Sequence, residues 1–467
     1  MWQEHTQEKH IRKVDLGLAR LQEGLLLRGG IAAYIPIIVV TICMFCGTFW
    51  LMPATDPARY QCYALTFWLG SNAVNLLPHA QCAFLGAVTT QPALHILPIE
   101  YPPLSLVPFS LALLVPLAYF QFAFALLMSF ISVVIYWSLL RYGPRGAALI
   151  FALYIFIGAI AVAQIRYDLL PALLTLLCVI AAERKRWTAA YIALAFGVLL
   201  KLYPLLILPA LFIAEQQARE CFYVPPRSLT LAALPRHIWS TLCGVTRWYW
   251  KNCFIFLIIL LGVTGIFALF NFQGAVVSQL SYFVQRPIQV EATGSTLLWI
   301  ANRLGVSWQI VYTFGSLNII SGLANVVTRA ETLLFGLGCL YVVWLQWRKQ
   351  VDITQAAIAL LLLFITTGKV FSPQYLIWLI PLLAYAGYCD TFWLLFWGAI
   401  SLLTTFIYIF LYSRLAEPQQ IESLHGFFET VGVRNLFLVL LTLAYLLNWF
   451  QARARRPLPP GPRETIS

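Results

Sequence analysis

Ile31-Ala32-Ala33-Tyr34-Ile35-Pro36-Ile37-Ile38-Val39-Val40-Thr41-Ile42-Cys43-Met44-Phe45-Cys46-Gly47-Thr48-Phe49-Trp50-Leu51-Met52 runs without a charge, and Pro53-Ala54-Thr55-Asp56-Pro57-Ala58-Arg59-Tyr60 follows at once. The first stretch has the length a helix needs to cross a hydrocarbon core of about 30 Å. Lipid offers no partners for stray backbone groups, so such a run must close its hydrogen bonds internally, as a helix. The second stretch then sets a carboxylate and a guanidinium just past the end of a span. Those two stretches fix the class of the fold and the first place to look for chemistry.

The same pattern recurs along the chain. Of 467 residues, 61% are hydrophobic and 10% charged, too little polar surface to cover a water-soluble protein of this length. The expectation is an all-α polytopic membrane protein. The net charge of +12 lies mainly between the apolar runs, where the positive-inside bias accounts for it; a nucleic-acid partner is not expected. The ten cysteines are scattered, many in apolar runs where a free Cys acts as a small hydrophobe. Cys62 and Cys82 share the first outer segment and can pair in an oxidising compartment.

Residues 1–30 carry Lys9, Arg12, Lys13, Arg20 and Arg28 with Ile11, Leu16, Leu18, Leu21 and Leu25 at helical spacing, which predicts an amphipathic segment on the cytoplasmic surface. One integral membrane domain spans 31–450, and 451–467 is a basic, Pro-rich, disordered cytoplasmic tail. Within the domain, 31–52 is the first span and 53–103 a long outer segment. Residues 104–118 form a re-entrant or interfacial helix, followed by spans at 119–140, 146–164 and 167–182. Two short helices over 188–214 break at Lys201-Leu202-Tyr203-Pro204, because Pro removes a helical hydrogen bond. A cytoplasmic loop with an interfacial helix (215–251), a span at 252–271 and a second outer segment (272–330) come next. Spans at 331–347, 353–368, 371–387, 391–412 and 434–450 bring the total to about twelve.

Ionisable groups at span ends are costly in lipid and are functional candidates with partners to be found. Here they gather on one side: Asp56, Arg59, Glu100, Arg166, Asp168, Lys201, Arg286, Glu291 and Lys369. Asp56 with Arg59, and Arg166 with Asp168, can each be simple structural pairs, and Lys201 a snorkelling lysine. The active alternative makes Asp56 a general base toward a hydroxyl. Gln285-Arg286-Pro287-Ile288-Gln289-Val290-Glu291 mixes guanidinium, amide and carboxylate in a way that suits sugar hydroxyls and phosphate. Gly368-Lys369-Val370-Phe371-Ser372-Pro373-Gln374-Tyr375 offers a lysine, a hydroxyl and an amide in one tight turn. No GxxxxGK[ST], GxGxxG, HExxH or DxD is present, so no metal site and no cofactor are expected.

Taken in order, Asp56 to Tyr60, Glu100-Tyr101-Pro102-Pro103-Leu104, Gly197 to Pro204, Arg286 to Glu291 and Gly368 to Trp378 resemble the GT-C class of membrane glycosyltransferases. The likeness is strongest to its family 87, the polyprenol-phosphate-mannose-dependent mannosyltransferases. Where many members carry a His-containing stretch, this chain has Lys369 to Tyr375. The resemblance implies a GT-C-like bundle with two long outer loops carrying juxtamembrane helices, in a plasma membrane of bacterial type, with its active site on the extracytoplasmic side. It implies an inverting, metal-independent transfer of a sugar, mannose first, from a polyprenyl-phosphate donor to a glycolipid or glycan acceptor. Asp56 would be the base, with Arg286, Lys201, Lys369 and Arg166 meeting the donor phosphate. Arg59, Tyr60, Glu100, Tyr101, Asp168, Gln289, Glu291, Ser372, Gln374 and Tyr375 would meet sugar or acceptor. The competing classes are a transporter or lipid flippase and a non-catalytic scaffold.

Overall fold

In the computed structural model, residues 17–27, 29–51, 55–88, 91–160, 162–221, 234–415 and 418–447 are described. Of the amphipathic segment expected over 1–30, the helical stretch 17–27 and residues 29–30 fall among them; the tail 451–467 lies outside the described residues.

Apolar runs become helices throughout. In chain order they are α1 (Ile35–Leu51), α2 (Thr55–Leu69), α3 (Phe120–Tyr142), α4 (Ala147–Ala159), α5 (Leu169–Glu183), α6 (Trp187–Leu200), α7 (Leu208–Ala218) and α8 (Lys251–Phe272). They continue as α9 (Ser278–Gln285), α10 (Thr293–Arg303), α11 (Ala324–Trp347), α12 (Ile353–Thr367), α13 (Tyr375–Tyr385), α14 (Thr391–Phe406) and α15 (Phe427–Leu446). Among the described residues six helical stretches are long and apolar enough to cross a membrane: Gly30–Phe49, Leu117–Tyr142, Lys251–Val277, Ala324–Trp347, Thr391–Arg414 and Phe427–Leu446. This is a helical membrane protein. The remaining apolar helices are shorter, and α4, α5, α6, α12 and α13 are among them.

The two sets occupy different places for a physical reason. α12 and α13 are apolar all round and almost wholly buried, as helices with no solvent face must be. By contrast α8 and α11 leave large aliphatic side chains such as Leu261, Leu269, Leu333 and Leu340 exposed. A contiguous exposed apolar surface of that extent belongs against lipid.

The breaks fall where the backbone chemistry places them. Short helices over Pro103–Leu114 stop before Val115-Pro116, and a continuous helix starts at Leu117. The chain also breaks after Leu200, resuming as a tight turn over Tyr203–Ile207 with Pro204 in its first positions. α8 bends at Asn271, whose backbone leaves the helical region (φ −158°, ψ 88°). Its side chain donates to Gln91 Oε1 and the His95 carbonyl and accepts from the Gly274 N–H. That bend carries α9 over the first outer segment.

Two span boundaries are corrected, and one element was not foreseen. In the segment 272–330 helix continues to Gln285, and 288–321 contains a three-stranded antiparallel sheet in the order β1 (Ile288–Gln289), β3 (Ser316–Ser321), β2 (Trp308–Thr313). Next, α11 starts at Ala324 rather than near 331, and the helix packs on α10. Last, α15 starts at Phe427 rather than 434, so Arg434 lies inside the helix, fully buried.

Because α5 and α6 form an antiparallel pair, the two ends of the bundle can be told apart. Arg184, Lys185 and Arg186 turn the chain at one end; Asp168 and Lys201 lie at the other.

Candidate functional site

The partners of the charged groups are not the ones that sequence proximity proposes. Asp56 does not pair with Arg59, nor Arg166 with Asp168. Instead Arg166 Nη2 lies 2.7 Å from Asp56 Oδ2, Lys201 Nζ lies 2.5 Å from Asp168 Oδ1, and Arg59 pairs with Glu100. The crossing follows from local geometry. Asp56 and Tyr60 stand one turn apart on the buried face of α2, while Arg59 is directed across Phe84, 4.7 Å from its ring centre, to reach Glu100. Tyr63 donates to the other Glu100 oxygen at 2.6 Å.

Lys201 occupies an aromatic box. Its ammonium lies 5.0 Å from the ring centre of Tyr167, 5.3 Å from Trp378 and 5.6 Å from Tyr101. Cations are attracted to such ring faces, more so when water is removed. Trp378 also donates through Nε1 to Asp168 Oδ1 at 2.5 Å. Tyr375 stacks on Trp378 at 4.0 Å, and Tyr203 stacks on it at 4.1 Å. Tyr375 in turn lies 6.2 Å from the ring of Phe371, against which rests Arg434, the donor to the Glu291 carbonyl. A contact path therefore runs from the Asp168–Lys201 pair to Glu291 in the second outer segment.

There, Lys369 Nζ donates to the carbonyls of Val284 (3.2 Å) and Arg286 (3.4 Å), while its own carbonyl accepts from the Gln289 N–H. Arg286 Nη2 donates to Ser316 Oγ at 2.9 Å. Ser372 donates to Gln374 Oε1 at 2.6 Å. The hairpin turn Phe314-Gly315 closes over this region with φ of 54° and 68°. Both positive values match the tight turn that suits strand twist. A φ of 68° disfavours any side chain at position 315, and Arg59 Nη1 lies 2.8 Å from where a Cβ would stand.

Three residues expected to touch sugar are buried among protein groups: Asp168, held by Lys201 and Trp378, together with Tyr60 and Glu291. Tyr60 is fully buried, stacked on Phe109 at 4.1 Å, and forms wall rather than surface. Glu291 is 2% exposed; Tyr412 donates to its Oε1 at 2.9 Å, and Arg434 donates to its backbone carbonyl at 2.6 Å. Burial pushes the Glu291 carboxyl up, opposed by Arg434, Tyr412 and Arg166. Its role is to fasten the outer segment to α15. Arg434 is the residue sequence reasoning missed. Its guanidinium rests 3.6 Å from the Phe371 ring centre, where a span boundary was expected; a lone Arg in an apolar run was the available signal.

Some buried polar atoms near these pairs carry no aligned hydrogen bond, as do others elsewhere among the described residues. Asp56 Oδ2, Asp168 Oδ2, Tyr60 Oη, Arg166 Nε, Arg286 Nε and Gln289 Oε1 are buried and lack an aligned hydrogen bond. The Asp56–Arg166 contact is thus an ion pair held by charge and proximity, with capacity left on both partners. Buried polar atoms in folded proteins are nearly always paired, so these carry hydrogen-bonding capacity that the protein itself leaves unused.

A disulfide between Cys62 and Cys82 ties α2 to the segment after it. Cross-linking across 20 residues stabilises by about 3 kcal/mol in the chain-entropy account. Cys62→Ser should therefore lower the melting temperature in detergent by several degrees, and reductant should lower that of the wild type to match. Equal melting with and without reductant would show that the bond contributes nothing.

Comparison with protein-family models, with curated proteins and with solved structures gives no match.

Proposed function

We propose that this chain is an integral membrane glycosyltransferase that moves a sugar, mannose first, from a polyprenyl-phosphate donor to an acceptor hydroxyl at the outer membrane face. The observation that carries the reading is the convergence of Asp56–Arg166 and Asp168–Lys201, with unspent polar atoms around them, at the end of the bundle away from Arg184, Lys185 and Arg186. In this reading the shorter apolar helices complete a GT-C-like bundle of about twelve spans. The disulfide supports an oxidising compartment on the site's side, and the basic turns at the opposite end follow the positive-inside rule.

The transfer is a single displacement with inversion. The acceptor oxygen bonds to the anomeric carbon as the bond from that carbon to the phosphate oxygen breaks. The electron pair leaves with the polyprenyl phosphate, and the hydroxyl proton goes to Asp56. Charge grows on the departing phosphate, where fixed cations act most strongly. Of the candidate cations, Arg166 and Arg286 retain free Nε–H groups, while Lys201 is held by Asp168 and Lys369 by two carbonyls. Arg166 and Arg286 are therefore the direct phosphate contacts, and Lys201 and Lys369 act by position. A phosphate drawing on Arg166 also loosens its hold on Asp56 at the moment a base is needed.

Arg286→Ala should weaken donor binding roughly ten- to a hundredfold, the worth of a charge-assisted hydrogen bond of about 1.5–3 kcal/mol. Donor affinity measured on the purified variant checks this; an unchanged value removes Arg286 from the phosphate site. The reading as a whole is tested with protein in liposomes, polyprenyl-phosphate-mannose, a glycolipid acceptor and no ion gradient. Sugar transfer supports the enzyme. Substrate movement across the bilayer without transfer supports a transporter, for which the buried Lys201–Asp168 pair is the favouring observation.

A further inference from the structure

α2 has two faces of opposite character. Asp56, Arg59 and Tyr63 belong to the charged cluster, whereas Pro57, Ala58 and Gln61 open on a cleft of about 380 Å³ walled by the 76–81 segment and the start of α3's helical run at Leu117–Gln121. No residue lining that cleft carries a formal charge, in a chain whose net charge is +12. Its polar groups are the amides of Gln61, Gln81 and Gln121; its apolar groups include Leu77, Leu117 and Phe120.

The amides are organised. Gln81 Nε2 donates to Gln61 Oε1 (2.9 Å) and to the Ala58 carbonyl (3.1 Å), and Gln61 Nε2 donates to the Leu117 carbonyl (2.8 Å). Gln61 and Gln81 each precede a cysteine of the Cys62–Cys82 disulfide, so one covalent bond holds both walls. Gln121 makes no hydrogen bond among the described residues and is half-exposed at the rim. A concave site with apolar walls and a few fixed amides recognises a neutral, hydroxyl-rich ligand. An anion placed there would lose water with no cation to replace it, while Arg59 and Arg166 stand on the other face.

The geometry points to this cleft as a binding site for an uncharged sugar unit of the acceptor, remote from the reacting one. The inference rests on the transferase reading. Because a helix with its side chains is about 10–12 Å across, a sugar in the cleft is separated from Asp56 by the thickness of α2. It is therefore a more distant unit of the same acceptor, which makes the acceptor an oligosaccharide or a glycolipid with several sugars. Binding a remote unit supplies energy that the enzyme can use at the reacting centre.

The test measures binding without donor. The whole protein in nanodiscs is titrated by calorimetry with an octyl glycoside of a neutral hexose, with the octyl glucuronide, and with 1-octanol. The neutral glycoside should bind at least tenfold more tightly than the glucuronide. Gln121→Ala, at the exposed rim where folding is not at risk, should weaken it about three- to tenfold, and Gln81→Ala at least as much. Wild-type affinity in both variants overturns the proposal, as does 1-octanol competing as well as the glycoside, which would make the cleft a site for a lipid tail. Donor turnover is assayed separately with acceptors of one to four sugars. Glycoside binding that the Gln variants weaken, without any sugar transfer, leaves the site standing and removes the transferase. Transfer to one-sugar and four-sugar acceptors with equal kcat/KM removes the site and leaves the transferase.

Discussion

Asp56→Asn will give a folded protein that binds polyprenyl-phosphate donor and transfers sugar about 10²–10⁴-fold more slowly than the wild type, the range removed with a general base. The amide keeps the shape of the carboxyl and can still accept a hydrogen bond from Arg166, which lies 2.7 Å away. What it loses is the capacity to take a proton. It also loses a negative charge that competes for Arg166, so donor phosphate should bind at least as tightly to the variant. This combination separates catalysis from architecture. If the Asp56–Arg166 pair served only to hold α2 against the 162–168 turn, breaking its charge would lower stability and donor affinity together. Donor affinity and single-turnover transfer on the same preparation give both numbers. Near wild-type turnover in Asp56→Asn would remove the base from the mechanism.

Much of the architecture was legible because lipid enforces it. Apolar runs had to be helices, the break at Lys201 to Pro204 had to follow from proline, and the charges had to gather at helix ends. What could not be read was pairing across sequence distance. Arg59 stands three residues from Asp56 yet reaches Glu100, 41 residues on. Helical spacing permits both partners, and only the position of the 91–102 segment decides. The buried Arg434 grips Glu291 across 143 residues, a relation with no local signature. The sheet was missed for a different reason. Trp308 to Thr313 and Ser316 to Ser321 carry the β-branched and aromatic residues of strands, but the turn between them is Phe314-Gly315, and Phe is a poor occupant of positive φ. Tyr282 donating to the Phe314 carbonyl at 2.8 Å supplies part of what the turn lacks locally.

Lys201→Met and Asp168→Asn should each be strongly destabilising, by about 3–5 kcal/mol, because each leaves a buried charge, or the box built for it, without its counterpart. The Asp168 side chain is fully buried and that of Lys201 is 12% exposed. Three aromatic rings surround the ammonium, and Trp378 spends its N–H on the same carboxylate. The double variant Lys201→Met with Asp168→Leu should recover most of the loss, since apolar residues of similar volume replace buried ion pairs at little cost. Thermal unfolding of Lys201→Met, Asp168→Leu and the double variant in one detergent reads the coupling directly. Activity of the double variant then assigns the pair. Recovered stability with transfer still reduced a hundredfold or more means that the Lys201 charge acts on the departing phosphate; recovered stability with full transfer means that the pair only orients Trp378 and Tyr375. Single variants that melt within a degree of the wild type would mean that water reaches this pair, and the box would then lend no added strength to the charges inside it.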